Sequence, residues 1–152
     1  ELFLIQIGLA FKKKHAGEIQ TGTAFKTRGD LIKRFIKLLP FQLTQAQRRV
    51  LADIMEDLEK EKSMNRLIQG DVGSGKTIVA LISAMNVIQS GYQVAFMAPT
   101  EILCRQHYNL AKNIYSNKIQ IEILTGKTDN YEKKRINKEI NSKKTLFIFQ
   151  FA

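Results

Sequence analysis

The chain has 152 residues, and 44% of them are apolar, enough to bury a core; that excludes disorder throughout and suits one domain, or one domain with an appendage. Its 24 Lys and Arg against 14 Asp and Glu give a formal charge of +10, which points to a polyanionic partner, nucleic acid before membrane, with a generic basic surface as the plain alternative. The lone cysteine, Cys104, excludes an internal disulfide and a cysteine zinc site, and fits a reducing, cytoplasmic setting.

Residues 1–11 are apolar but too short to span a bilayer. Their basic cluster follows the apolar run, the reverse of a secretory signal, so no targeting segment is read. Leu2, Ile5 and Leu9 share a face and predict a helix over residues 1–11, ended by the charge run Lys12-Lys13-Lys14-His15. That run reads as a solvated face rather than a phosphate contact. A loop broken by Gly17, Gly22 and Gly29 follows. Asp30 is placed to cap a helix that turns Leu31, Phe35, Ile36 and Leu39 inward, and Pro40 stops it. Residues 1–39 carry no strand alternation and cannot close a core alone. They are expected to be a helical lead-in from an upstream domain, docked on a main domain over residues 40–152.

That domain opens with Thr44 as a helix cap, after which Ala46, Val50, Leu51, Ile54 and Leu58 line one face. Arg48, Arg49, Asp53, Glu56, Asp57 and Glu59 lie on the other. Leu67-Ile68-Gln69 reads as the end of a short buried strand. Gly70-Asp71-Val72-Gly73-Ser74-Gly75-Lys76-Thr77 then fits G-x-x-x-x-G-K-[ST], the phosphate-binding loop. Its glycines permit backbone angles that a Cβ forbids, so that N–H groups converge on an anion. The helix after it, apolar on nearly every side from Ile78 to Ile88, adds its positive N-terminal end. Lys76 would reach the β- and γ-phosphates, and the Thr77 hydroxyl would hold Mg²⁺. A nucleoside triphosphate is therefore the expected ligand, with Lys76 and Thr77 as the catalytic pair.

Ser90-Gly91 marks a stop, and residues 92–97 predict a second strand, ended by Ala98-Pro99. Thr100 caps a helix with Leu103, His107, Leu110 and Ile114 at helical spacing. Residues 120–124 alternate as a third strand, closed by Thr125-Gly126. A charged helix over residues 129–140 has Tyr131, Ile136 and Ile140 as its thin apolar side, and residues 145–150 form a fourth strand. Strands alternating with helices imply an α/β fold, a parallel sheet flanked by helices on both faces, here with an unfinished look.

A phosphate loop alone does not choose among kinases, GTPases, transporter ATPases and nucleic-acid motors. Its surroundings do. The loop, preceded by Met64-Asn65-Arg66-Leu67, resembles motif I of the RecG family of superfamily 2 DNA helicases. Leu39-Pro40-Phe41 with Leu43-Thr44 and Gln47 is similar to the start of that family's first RecA-like domain. Residues 91–103 followed by Gln106-His107 are similar to its motif Ia, and Leu124-Thr125-Gly126 to its next short motif. The resemblance covers residues 30–146 and is strongest over 39–107. The related transcription-repair coupling translocase usually has an aromatic residue where this chain has Ser74, which favours RecG.

The resemblance implies a RecA-like fold, ATP and Mg²⁺ as ligands, and branched or forked DNA as partner. It makes Gln47 the reader of the adenine edge, with Phe41 stacking on the ring; a polar helix residue and a core phenylalanine are the alternatives. It sets Thr100 and Glu101 at the start of their helix, and the turn Thr125-Gly126, on the track of one DNA strand. An ordinary N-cap and a plain turn would leave the same marks. Arg105 and Lys112 read as solvated, His107 as packed in a helix interface, and Cys104 as a buried thiol.

The family also needs a DExx motif, whose aspartate holds Mg²⁺ and whose glutamate orients water, and arginine fingers from a second RecA-like domain. No such acidic pair follows Thr77 at a strand end; Asp129, Glu132 and Glu139 lie in a helix. Where the family continues from Ile148 into a Gly-Thr-His segment, Phe149-Gln150-Phe151-Ala152 departs from it. The chain is therefore expected to be a truncated motor piece, a monomer without a membrane span, that binds Mg·ATP and does not turn it over. A small-molecule kinase using the same loop and an inactive product of a degraded gene remain the alternatives.

Overall fold

The computed structural model describes residues 2–19, 21–26, 32, 35–37, 39–115, 119–144 and 147–151. The order is α1 (Leu2–Ile19), α2 (Gln45–Leu58), α3 (Lys76–Gln89), β1 (Val94–Ala98), α4 (Glu101–Tyr115), β2 (Ile121–Leu124), α5 (Asn130–Asn141) and β3 (Phe147–Phe151). The expected cap Asp30, with Leu31, and the strand residues Thr145 and Leu146 lie outside the described residues.

The strands form one parallel sheet in the order β1-β3-β2, as the strand–helix alternation requires. Register pairs Phe147 with Val94 and Ile121, and Phe149 with Phe96 and Ile123, so these side chains share one face. That face carries the core. Phe147 and Phe149 are fully buried with ring centroids 4.6 Å apart, and Phe96, Tyr108 and Tyr115 close around them. Cys104, Ala111 and Tyr115 of α4 bury here, and the Tyr115 hydroxyl donates to the Leu81 carbonyl at 2.8 Å, tying α4 to α3. On the other face Glu122 meets Arg135 of α5, which bonds Glu122 and Glu139 together. Helices thus cover both faces, although Ala95 and Met97 of β1 stay exposed.

α2 forms because Thr44 and Gln47 make a reciprocal capping box: the Gln47 N–H donates to Thr44 Oγ1 at 3.2 Å and the Thr44 N–H to Gln47 Oε1 at 2.9 Å. Its buried face is Leu51, Ile54 and Leu58, all on the stripe expected from the sequence. α3 buries Ile78, Val79, Leu81, Ile82, Ala84, Met85, Asn86 and Ile88, a helix enclosed nearly all round.

Several expectations are corrected. The first helix does not stop at Lys12–His15 but runs to Ile19, through Gly17; lysine is a good helix former, and one interior glycine costs only about 1 kcal/mol. Ile5 and Leu9 on the expected apolar face are both exposed. Leu67-Ile68-Gln69 is not a strand. A strand exists only where its N–H and C=O groups find a neighbour, and no described strand lies alongside it; Leu67 is 86% exposed. Tyr131 is exposed rather than on the inner side of α5, where Ile136 alone is buried.

What holds the segment ahead of the phosphate loop is an ion pair instead of a ladder. Arg66 Nε donates to Asp57 Oδ2 at 2.9 Å and its Nη2 contacts the same oxygen. Arg66 and then Lys60 hold the Asp57 carboxyl below its ordinary range. A carboxylate whose pKa is lower folded than unfolded stabilises above the unfolded value, about 4, and loses that contribution as pH falls through the lower folded value. Asp57→Asn is therefore expected to lower the melting temperature at pH 7 and to shrink that difference below pH 4, read by thermal melts across pH. The same end of α2 is strapped by residues 21–26, through Gly22 N–H to Glu61 C=O at 3.0 Å and Phe25 N–H to Leu58 C=O at 2.8 Å. Gly22 fits because a Cβ there would sit 2.4 Å from the Lys62 carbonyl carbon.

Candidate nucleotide and nucleic-acid site

The phosphate loop stands open at the surface, with residues 71–74 exposed and residues 75–77 half-buried where α3 begins. Gly73 and Gly75 have φ of +81° and +80°, the left-handed region that favours glycine, and Gly75 is the N-cap of α3. The Ser74 N–H donates to the Asp71 carbonyl at 3.2 Å, which closes the bend. Lys76 folds back beneath it. Its ammonium donates to the Gly70 carbonyl at 2.8 Å, to the Asp71 carbonyl at 2.6 Å and to Ser74 Oγ at 3.4 Å. A positive group therefore sits at the mouth of a helix N-terminus with its partners all exchangeable backbone and hydroxyl oxygens. That donor set fits a polyphosphate, and Thr77, half-buried, is the second residue of the helix.

Gln47 joins this loop to α2. While its Oε1 completes the Thr44 capping box, its Nε2 donates to the Ser74 carbonyl at 2.8 Å, 27 residues away in sequence. Among the described residues each amide atom keeps one unused hydrogen-bonding position, an N–H and a lone pair, a donor and an acceptor side by side. Phe41 is 46% exposed just ahead of the same helix, so it is not a core phenylalanine. Val72 points wholly into solvent.

The remaining expected residues gather at the carboxyl ends of β1 and β2, where open parallel sheets present their ligand loops. Thr100 caps α4, its Oγ1 accepting from the Leu103 N–H at 3.2 Å. The Thr125 N–H donates to Thr128 Oγ1 at 2.9 Å, and the Thr128 N–H donates to the Thr125 carbonyl at 3.1 Å, which makes a tight turn with Gly126 exposed at its tip. Thr125 itself is 6% exposed, so its hydroxyl is not presented on the surface and the open backbone at Gly126 is. Glu101 joins the two loops. Its Oε1 pairs with Arg105 Nη2 at 2.9 Å and with Lys127 Nζ at 3.8 Å.

The pairing of Lys127 with Glu101 was not legible in the sequence, because it spans 26 positions. His107 packs against Phe96, centroids 5.3 Å apart, and burial pushes its pKa down. The Cys104 thiol is buried and pushed up by that burial, with no nucleophile's environment. Among the described residues there is no group of three or more His, Cys, Asp or Glu side chains able to hold a metal by themselves, and no helix is long and apolar enough to cross a membrane.

Three kinds of comparison bear on this arrangement. The family model for the DEAD/DEAH box helicases matches residues 44–148. The ATP-dependent DNA helicase RecG of Aquifex aeolicus is 45% identical over 143 residues, covering 92% of this chain and 18% of that protein. RecG of Synechocystis sp. is 41% identical over 143 residues, covering 93% of this chain and 17% of that one. A solved structure of RecG bound to a three-way DNA junction superposes with a TM-score of 0.91 at 39% identity, over 99% of this chain and 21% of that one. The chain thus spans about a fifth of the length of the relatives it matches.

Proposed function

The chain belongs to the DEAD/DEAH box helicases, and from that premise we propose that it is the nucleotide-cradling part of a RecG-like motor acting on branched DNA. In this reading residues 1–39 are the lead-in from an upstream domain and residues 40–152 part of the first RecA-like domain. Residues 70–77 hold the triphosphate, Lys76 carries its charge, Thr77 ligates Mg²⁺, Gln47 reads adenine and Phe41 stacks on it. Mg²⁺ would supply charge neutralisation across the phosphate oxygens. Thr100 and the backbone at Gly126 meet a DNA strand. Glu101, expected at the sequence level to touch DNA, is an acceptor only and has no attraction for a phosphate; its place is with the two cations it pairs. The kinase alternative loses its ground with the family assignment.

The observation that carries the proposal is the loop itself: left-handed glycines at 73 and 75, Lys76 folded beneath them, and Gln47 bonded to Ser74. The 152-residue chain taken alone is proposed to bind Mg·ATP without turnover. Its acidic residues beyond Thr77 are Glu101, Glu122, Asp129, Glu132 and Glu139, with no adjacent pair to orient water. An arginine supplied from a second domain is worth about 10³–10⁵ in rate in related phosphoryl transfers.

Binding of a fluorescent forked oligonucleotide, titrated from 50 to 200 mM salt, tests the nucleic-acid part. The affinity is expected to fall steeply with salt, as counterion release demands. Binding indifferent to salt would refute it, and phosphate release by the chain alone would refute the absence of turnover.

A further inference from the structure

We propose that Glu101 is an internal counter-ion at the nucleic-acid edge: it keeps Arg105 and Lys127 neutralised and aligned until a DNA phosphate takes its place. The inference rests on the reading that DNA runs across Thr100 and Gly126, and adds to it two contacts and their regulation.

The geometry is that of one carboxylate between two cations, Arg105 one turn further along α4 and Lys127 in the turn after β2. Glu101 lies in the first turn of α4 and is itself only 24% exposed at its side chain, whereas Lys127 and Arg105 are 80% and 52% exposed. The cations therefore reach past the carboxylate into solvent. Arg105 binds it through two donors, Nε at 3.0 Å and Nη2 at 2.9 Å, and Lys127 at the looser 3.8 Å. Arg105 stands in the second turn of the helix that Thr100 caps, Lys127 directly follows Gly126, and both pair with Glu101 at the carboxyl edge of the same parallel sheet.

Two cations on one carboxylate leave a single net positive charge. A phosphate arriving there carries the charge that Glu101 was providing and, unlike it, stands on the exposed side. Exchange of carboxylate for phosphate releases fewer solution counterions than binding to bare cations would, because part of the neutralisation was already internal. The device lowers resting attraction for stray polyanions and lets the strand ride on contacts that reform behind it.

Equilibrium binding of a labelled single strand to the 152-residue chain, as a function of salt, tests this. Glu101→Gln is expected to tighten binding roughly 2–5-fold, the size of one exposed ion pair, and to steepen the slope of log K against log salt by roughly 0.7 per cation released to phosphate. Glu56→Gln, which removes the same charge from α2, is expected to do neither. Lys127→Gln added to Glu101→Gln is expected to reverse the steepening. Glu101→Asp, which keeps the charge but draws it back from both cations, gives a partial effect and serves if the glutamine variant fails to fold. Weaker binding or an unchanged slope in Glu101→Gln would overturn the proposal, as would equal tightening in Glu56→Gln. The underlying reading fails separately: Lys127→Glu that leaves both affinity and slope unchanged, or a chain that binds no strand even at low salt, would show that DNA does not pass this edge.

Discussion

Lys76→Ala is expected to remove half or more of the thermal stabilisation that Mg·ATP gives this chain while barely moving the ligand-free melting temperature. In the free loop the Lys76 ammonium is held by the Gly70 and Asp71 carbonyls, both on exposed residues. Water replaces it there, so the loss stays within about 0.5 kcal/mol. With nucleotide the ammonium becomes a charge-assisted donor to phosphate, worth about 1.5–3 kcal/mol, or roughly 10- to 100-fold in Kd. At a nucleotide concentration 100 times the wild-type Kd, linkage gives the wild type about 2.7 kcal/mol and the variant only about 0.4–1.4 kcal/mol. For a chain of this size that separates a shift of roughly 5–10 °C from one of roughly 1–5 °C. A thermal-shift titration with Mg·ATP reads both. Equal shifts in the two proteins would refute the phosphate cradle, and a large fall in the ligand-free melting temperature would assign Lys76 a structural role instead.

The residues that made this site legible are those whose partners lie close in sequence. Thr44 was legible as the cap of α2 and stands there, and Gly70 through Thr77 spell their loop by spacing alone, with Gly73 and Gly75 in the left-handed backbone that such a bend uses. The apolar stripe of α2 and the strands near residues 94, 121 and 147 were equally local patterns. What escaped were partnerships set by tertiary packing. Leu67-Ile68-Gln69 has strand-like residues, but strand formation is decided by a neighbour, and here Arg66–Asp57 does the holding. Gln47 to Ser74 and Glu101 to Lys127 join residues that no periodicity relates. Tyr131 counted as apolar by its spacing, yet that flank of the sheet is taken by Arg135 bridging Glu122 and Glu139, a polar contact that a hydrophobic pattern does not register.

Gly75→Ala is expected to cost more than Gly73→Ala, although the two glycines have nearly the same φ. At Gly73 a Cβ would meet nothing within 4 Å, so alanine pays only for the left-handed backbone, about 1–2 kcal/mol. At Gly75 the Cβ would also sit 2.4 Å from Gln47 Nε2. The amide lies at the end of a flexible side chain and swings away, losing its bond to the Ser74 carbonyl and about 0.5–1.5 kcal/mol more. Melting temperatures should fall by roughly 2–8 °C for Gly73→Ala and roughly 3–14 °C for Gly75→Ala. In a Gln47→Ala background the clash is gone, and the two glycine substitutions should then cost the same. That non-additivity isolates the contact between the loop and α2. If it is found, the residue proposed to read adenine is mechanically part of the loop proposed to hold the phosphates, and a base that Gln47 cannot bond would disturb the cradle through Ser74. Additive costs would mean that Gln47 caps its helix and touches the loop without shaping it.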